Sequence, residues 1–412
     1  MKLTDKHTLY ASYIGYITQA IINNLPPLLF VTFQTHFDIP LPRISALITM
    51  NFFIQILVDL FGAKYIDRIG YRPSIVAAHI FSVVGLCSLG ILPFVMDPFA
   101  GIILAMTLNA IGGGLLEVLV SPIVESLPGD EKAAAMSVLH SFYCWGHMAV
   151  VILSTVYFTA IGTENWQFLP FFWAIVPFCN VFLFAKVPMH VLVAEEDKIP
   201  LGRLFSSKIF WLLFVLMLCA GASEQSMSQW SSYFAEVGLG VSKTVGDLLG
   251  PCAFALMMGL ARLIFGRLSA RMNVRRFIVF SAVLCLGTYL LTVFAPHPML
   301  SLVGCGICGF SVGIFWPGVF SVAAETYPAG GTAMFALLAL AGDVGCGVGP
   351  GLVGVVSNAA KDGFDALRAI IPADAGSALK VGMLIAVLFP VGMIAGMAIL
   401  GKMAGRSSQK SR

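Results

Sequence analysis

Three carboxylates lie inside stretches of sequence that are otherwise apolar enough to cross a membrane. Glu117 lies in IGGGLLEVLVSPIVESLP, Glu224 in GASEQSMSQWSSYF and Asp343 in ALAGDVGCGVGP. An ionisable group within a membrane span is costly, and such groups usually line the path of an ion or a substrate. A carboxylate changes its charge when it binds a proton, which is the chemistry that proton-coupled transport needs. We therefore predict proton coupling at these three positions.

Glu117 is predicted to lie on a narrow polar stripe of its helix, because residues four apart share a helix face. The members of this stripe are Asn109, Gly113, Glu117 and Ser121. We expect the stripe to face protein or water, and we expect Glu117 to bind substrate as well as protons. The alternative is a structural role, in which the carboxylate is hydrogen-bonded between helices.

Other polar or aromatic residues within the apolar stretches are candidates for substrate binding. They are Asn23, Asn24, Gln225, Gln229, Trp230 and Trp316. Amide side chains both donate and accept hydrogen bonds, and a tryptophan face packs on the apolar side of a ring. Asn23 and Asn24 precede two prolines that break a helix, so they bind substrate or satisfy the freed carbonyls. The alternative for the segment around Gln225 is an interfacial position near the outer surface.

Two histidines in one predicted span extend the set of titratable groups. His140 and His147 are seven residues apart with Cys144 between them, a spacing that puts all three near one helix face. Histidine titrates near neutral pH, so the pair is predicted to relay protons or to form structural hydrogen bonds. No further ligands cluster nearby in the sequence, and we predict neither a metal site nor a cofactor.

The composition excludes an ordinary soluble domain. The chain has 412 residues, of which 58% are hydrophobic and 11% are charged, with a mean hydropathy of +0.90. A span of about 20 apolar residues crosses a hydrocarbon layer of about 30 Å. We predict twelve such spans, and hence an all-α polytopic membrane protein.

The basic residues predict the orientation, because positive charge is retained on the cytoplasmic side. With the N-terminus inside, 19 of the 24 lysines and arginines are cytoplasmic. We therefore predict that both termini are cytoplasmic, in a bacterial plasma membrane (the inner membrane). The net charge of +3 follows from this asymmetry and indicates no nucleic-acid partner.

The two parts of the chain resemble each other. AKYIDRIGYRP at 63–73 matches GRLSARMNVRR at 266–276, and SPIVESLP at 121–128 matches SVAAETYP at 321–328. Matches in register indicate duplication of a six-helix unit. We predict a first half at 1–187, a cytoplasmic linker at 188–207 and a second half at 208–412.

The loop motifs resemble the signature of the major facilitator superfamily. Asp67, Arg68, Gly70 and Arg72 match its first copy, while the second copy has Ala270 where an aspartate is common. The resemblance implies twelve helices in two halves that alternate access, and it implies a gating role for the residues of both copies. These gating residues are Asp67, Arg68, Arg72, Arg271 and Arg275.

Within the superfamily, three stretches are similar to the fucose permease group of sugar/proton symporters. They are INNLPPLL at 22–29, LLEVLVSP at 115–122 and WPGVFS at 316–321. The resemblance implies that Glu117 helps to bind sugar and couple protons. The chain departs from the group at Pro27, where the group has the aspartate regarded as its proton carrier. The family's own coupling route is therefore in doubt.

These observations predict a monomeric secondary transporter that takes up a small polar solute, for example a sugar, with a proton or with sodium as the coupling ion. One alternative is a proton-coupled exporter of drugs or amphipathic metabolites. A second is a transporter-like sensor that binds ligand without moving it. An enzyme is not expected, because the sequence contains no convincing metal cluster or nucleophile constellation.

Overall fold

A computed structural model gives the fold of residues 3–128, 132–190, 204–268, 273–327, 331–361, 363, 370–371 and 376–410. These residues are almost entirely helical, and none of them lies in a strand. The helices are α1 (Asp5–Leu28), α2 (Phe30–Phe37), α3 (Leu41–Ile69), α4 (Tyr71–Val95), α5 (Pro98–Glu125), α6 (Lys132–Ile161), α7 (Leu169–Lys186), α8 (Lys208–Tyr233), α9 (Lys243–Asp247), α10 (Ala253–Leu268), α11 (Val274–Phe294), α12 (Pro298–Val312), α13 (Phe315–Thr326), α14 (Gly331–Ala359), α15 (Ser377–Ala386) and α16 (Leu388–Lys410).

The helices have the length and apolar character of membrane spans. Within the described ranges, 11 helical segments pass this test, or 12 when α1 and α2 are counted as one bent span. Several spans consist of two consecutive helices, for example α9 with α10 and α15 with α16. The prediction of an all-α polytopic membrane protein is confirmed.

The chain forms two compact units. Unit 1 comprises Met1–Ala194 together with Val241–Leu256, and unit 2 comprises Glu195–Gly240 together with Met257–Arg412. The segment Val241–Leu256, which contains α9 and the start of α10, follows the predicted linker in sequence yet packs within unit 1. The boundary between the units therefore falls inside α10.

The first span is bent where its two prolines end a helix. Pro26 and Pro27 occupy the last turn of α1, and the axis turns by 44° into α2 after Leu29. Proline has no backbone N–H, so the carbonyls of Ile22 and Asn23 lose their helical donors. The predicted break is thus present, at Leu29, between one and two turns beyond Asn23.

Glycine allows two helices of unit 2 to touch through their backbones. A Cβ at Gly221 of α8 would collide with the carbonyl of Gly342 on α14, and a Cβ at Gly345 would collide with the carbonyl of Leu218. Small residues permit this close approach in membrane helices. The contact fixes α8, with Glu224 just beyond it, against α14.

Candidate substrate and proton site

Glu117 lies where α1, α3 and α5 meet in unit 1. Its side chain is half-buried. Nε2 of Gln19 donates to Glu117 Oε2 at 3.1 Å and to Gln55 Oε1 at 3.4 Å. Gly113 leaves space for this contact, because a Cβ there would lie 3.2 Å from Gln19 Oε1. One amide thus joins the carboxylate of α5 to side chains of two other helices.

The hydrogen bonds continue from Gln55 to Asn23. Nε2 of Gln55 donates to Asn23 Oδ1 at 3.0 Å, and Nδ2 of Asn51 lies 3.5 Å from the same oxygen. We call Gln19, Asn23, Asn51 and Gln55 the amide cluster; all four are at most 7% exposed. Amide groups donate and accept without carrying charge. The cluster therefore offers a polar solute many neutral contacts beside one carboxylate.

Sequence reasoning identified Glu117 and Asn23 but missed Gln19, Asn51 and Gln55. A usable signal was present, because Gln19 and Asn23 are four residues apart on α1, as are Asn51 and Gln55 on α3. Polar residues at this spacing form one polar face of an otherwise apolar helix. Two such faces, read together with Gly113 and Glu117, indicate three helices that meet at one polar point.

Asn24 lies beside the amide cluster but bonds in another direction. Its Nδ2 donates to the carbonyl of Ala20 at 2.9 Å and to Tyr143 Oη at 3.3 Å. Ala20 is not one of the residues whose carbonyls the prolines free. Neither of these contacts therefore shows Asn24 satisfying a freed carbonyl, and its role in substrate binding stays a prediction.

Asn109 does not share the surroundings of Glu117, contrary to the expectation of one stripe. A Cβ at Gly85 of α4 would lie 2.5 Å from Asn109 Oδ1, so Asn109 packs on α4, whereas Gly113 faces α1 and α3. Steps of four residues turn a helix by about 40° beyond a full circle, so a four-residue stripe drifts around it. The side chain of Ser121, at the other end of the stripe, lies outside the described residues.

The two histidines of α6 have different environments. His140 is exposed and its ring centroid lies 5.0 Å from that of Tyr16, while His147 is only 2% exposed. Cys144 between them is fully buried. Their role in a proton relay stays a prediction. Over the described ranges, no group of three His, Cys, Asp or Glu side chains is placed to hold a metal ion.

Unit 2 contains a second polar cluster, built on α8. Arg262 Nη2 of α10 lies 3.6 Å from Glu224 Oε2, and Gln225 Nε2 lies 3.5 Å from Glu224 Oε1. Gln229 Nε2 donates to Gln225 Oε1 at 3.0 Å. Glu224, Gln225 and Gln229 are each at most 5% exposed. We call Glu224, Gln225, Gln229 and Arg262 the charged cluster.

Arg262 also reaches the interruption of the tenth span. Its Nε donates to the carbonyl of Gly313 at 3.3 Å, between the end of α12 at Val312 and the start of α13 at Phe315. Sequence reasoning did not name Arg262 among the site residues. Only tertiary structure shows that Glu224 faces this arginine.

The two tryptophans have different positions in unit 2. Trp230 is fully buried and its Nε1 donates to the carbonyl of Pro350 at 3.0 Å, and its predicted solute contact stays a prediction. Trp316 is half-buried, and its ring lies against Gly342, where a Cβ would collide with it. Asp343 follows that glycine and is 3% exposed.

The predicted gating residues are described only in part. Arg72 donates to three carbonyls at the end of α7, those of Phe184 at 3.0 Å, Ala185 at 2.7 Å and Val187 at 2.8 Å. A cation at a helix C-terminus is favoured by the helix dipole. Arg275 lies in the first turn of α11. The remaining gating residues lie outside the described side chains: Asp67, Arg68 and Arg271.

Solved structures of transporters share this fold. The alignment with the E. coli fucose:proton symporter FucP covers 95% of this chain and 98% of the FucP chain, with 15% identity and a TM-score of 0.66. A bacterial homologue of the human lysosomal transporter Spinster covers 96% and 97%, with 14% identity and a TM-score of 0.75. The nucleoside transporter NupG covers 96% and 99%, with 13% identity and a TM-score of 0.73. No curated protein gives a significant sequence match.

A family comparison extends over most of the chain. The model of the Major Facilitator Superfamily matches residues 12–350, from α1 into α14. This range includes both polar clusters and both copies of the loop motif. The resemblance inferred from those motifs is confirmed, and so is the general prediction of a membrane transporter. The chain belongs to the Major Facilitator Superfamily.

Proposed function

We propose that this transporter takes up a small polar solute, such as a sugar, together with a proton, and that Glu117 binds the proton. The observation that carries the proposal is the hydrogen bond from Gln19 to Glu117, because it joins a titratable group directly to the amide cluster. A solute with several hydroxyl groups is complementary to amides that both donate and accept. The proton and the solute then act on the same set of side chains.

Glu117 also supplies a titratable group in place of the one that Pro27 lacks. The fucose permease resemblance implies an aspartate at that position, and this chain has proline. Glu117 is within hydrogen-bonding distance of Gln19, one turn before Asn23, so it acts on the same region of α1 from a neighbouring helix. We infer that one carboxylate serves both solute binding and proton coupling in unit 1.

The remaining predictions accompany this proposal. The transporter works as a monomer in a bacterial plasma membrane, with both termini in the cytoplasm. The charged cluster of unit 2 is a separate candidate for solute contacts through Gln225 and Gln229 and for proton exchange through Glu224. Asp343 and the two histidines of α6 are further candidates for proton exchange.

The test uses purified protein in proteoliposomes with an imposed pH gradient and a panel of labelled sugars. We expect accumulation of at least one sugar in the wild type. Glu117→Gln keeps the shape of the side chain but cannot gain or lose a proton, so gradient-driven accumulation should fall at least tenfold, which is about 1.4 kcal/mol. Exchange of solute without a gradient should persist, because the glutamine still forms hydrogen bonds.

The matched control is Asp97→Asn. Asp97 is exposed and directly precedes α5, the helix that carries Glu117. Its Oδ1 accepts a hydrogen bond from the N–H of Ala100 at 2.9 Å, and the side-chain oxygen of asparagine can accept the same bond. This variant should transport like the wild type. Absence of gradient-driven uptake for every sugar, with Glu117→Gln indistinguishable from the wild type in any flux, would contradict the proposal.

A further inference from the structure

The end of α1 at the bend presents an electronegative group inside unit 1. The last carbonyls of a helix have no donors within it, and they carry the negative end of the helix dipole. At this end the ammonium of Lys243 donates to the carbonyl of Leu28 at 2.8 Å. Lys243 is the first residue of α9, so the contact joins segments 215 positions apart in sequence.

Two further groups surround the same ammonium. Asp247 Oδ2 lies 3.2 Å from Lys243 Nζ, and the ring centroid of Phe158 lies 4.9 Å from it. The lysine side chain is 14% exposed and that of Asp247 is 1% exposed. A carboxylate buried to this extent needs a cation nearby, and an aromatic face attracts a cation as well. Carbonyl, carboxylate and ring together form a site for a monovalent cation.

From these contacts we propose that the bend of α1 is a cation site and that the Lys243 ammonium is the cation which occupies it. The helices around the bend, α1, α6 and α9, separate only when this ammonium leaves. The site holds the segment Val241–Leu256 on α1 and α6. Thr159 Oγ1 and Thr244 Oγ1, at 3.3 Å, add a second contact between α6 and α9.

We call the contact of the Lys243 ammonium with the Leu28 carbonyl the latch. Its position in the chain makes it important. The segment that carries Lys243 belongs to unit 1, while the residues from Met257 onward in the same helix belong to unit 2. Movement of unit 2 during a transport cycle therefore either bends α10 near Leu256 or detaches α9 from unit 1. The latch requires the second event, because bending alone leaves the ammonium in place.

The experiment measures opening directly and needs no substrate. A cysteine is introduced by Leu28→Cys, and its labelling by a membrane-impermeant maleimide is followed by mass spectrometry at position 28. Leu28 is 1% exposed, so labelling should be slow. Adding Lys243→Ala should raise the labelling rate at least tenfold, and methylammonium, a free ammonium that fits the emptied site, should lower it again. Sodium chloride at equal ionic strength is the salt control.

Two further variants separate the latch from general damage. Asp247→Asn keeps the ammonium and removes the carboxylate, so labelling should rise without a response to methylammonium. Arg43→Ala removes an exposed cation over another ring, that of Phe99 at 5.0 Å, and should change nothing. Melting temperatures of all variants are measured in the same detergent.

The outcomes are distinct. A labelling rate unchanged by Lys243→Ala would overturn the latch. So would an increased rate that methylammonium does not reduce, because the lysine would then be a packing residue and not the ligand of a cation site. Neither result bears on Glu117, since labelling requires neither a solute nor a pH gradient.

Discussion

Each unit has a glutamate among its helices, and the two glutamates have different partners. Glu117 in unit 1 is half-buried and accepts a hydrogen bond from the neutral amide of Gln19. Glu224 in unit 2 is 5% exposed and faces the guanidinium of Arg262 at 3.6 Å. A neutral donor stabilises the charged form of a carboxylate, relative to its protonated form, less strongly than a cation does.

From this difference we expect the two glutamates to have different tasks. At Glu117 the described hydrogen bond comes from the neutral amide of Gln19, whose preference for the charged form of the carboxylate is smaller than that of a cation. Protonation of Glu224 removes the negative charge that faces a partly buried arginine and leaves that guanidinium without this partner. We therefore expect Glu117 to carry the coupled proton and the charged cluster to serve mainly the structure of unit 2.

The largest effect that tests this comparison is expected from Arg262→Met. The substitution leaves the Glu224 carboxylate buried without this cation and should lower the free energy of unfolding by about 3–5 kcal/mol. Glu224→Gln in the same chain should restore most of the loss, because no charge then remains to be compensated. Denaturant unfolding in detergent measures both. If Arg262→Met is as stable as the wild type, the pair has no structural role.

A smaller effect is expected from Gln19→Leu, which keeps the size of the side chain and removes the donor to Glu117. A hydrogen bond to a charged group contributes about 1.5–3 kcal/mol, so gradient-driven uptake should fall by a factor of about 10 to 100. The matched change in unit 2 is Gln229→Leu. In the wild type the Gln229 amide donates to Gln225 Oε1, one residue away from Glu224. This change should reduce uptake much less. Equal effects of the two changes would remove the distinction between the units.

The smallest expected effect comes from removing one of the two amides that face Asn23 Oδ1. Gln55 lies 3.0 Å from Asn23 Oδ1, whereas Asn51 lies 3.5 Å from it, a distance at which a hydrogen bond is weak. Gln55→Ala should weaken solute binding about fivefold, which is about 1 kcal/mol, and Asn51→Ala should weaken it less than that. Equilibrium binding of the transported sugar gives both values, and the reverse order would show that Asn51 is the closer partner in the bound state.

The fold could be predicted from the sequence because its causes are local. Long apolar stretches predict spans, and the loop motif around Asp67 indicates the family. Glu117 could be identified because a carboxylate among leucines and valines is costly wherever the helix lies. In each case a single stretch of the chain contains the whole signal.

The partners of Glu117 required tertiary structure. Gln19 and Gln55 are ordinary polar residues of their own helices, and only the packing of α1, α3 and α5 brings Gln19 to the carboxylate and Gln55 to Gln19. The partner of Trp230 also required tertiary structure. The sequence places this indole beside glutamines, and only the fold shows that its N–H donates to the carbonyl of Pro350.

The Gln19 amide is the donor in both of its described hydrogen bonds. Gln19 gives its N–H groups to Glu117 and Gln55, and its buried Oε1 accepts no hydrogen bond within the described structure. A protonated Glu117 is a donor, and we expect the Gln19 amide to turn over so that this Oε1 accepts from it. Gln55 would then lose the donor to its own oxygen, and its amide should turn as well, which changes the hydrogen bond to Asn23. We expect one proton on Glu117 to be sensed across three helices as a reversal of amide orientation, without an ion that travels along the path.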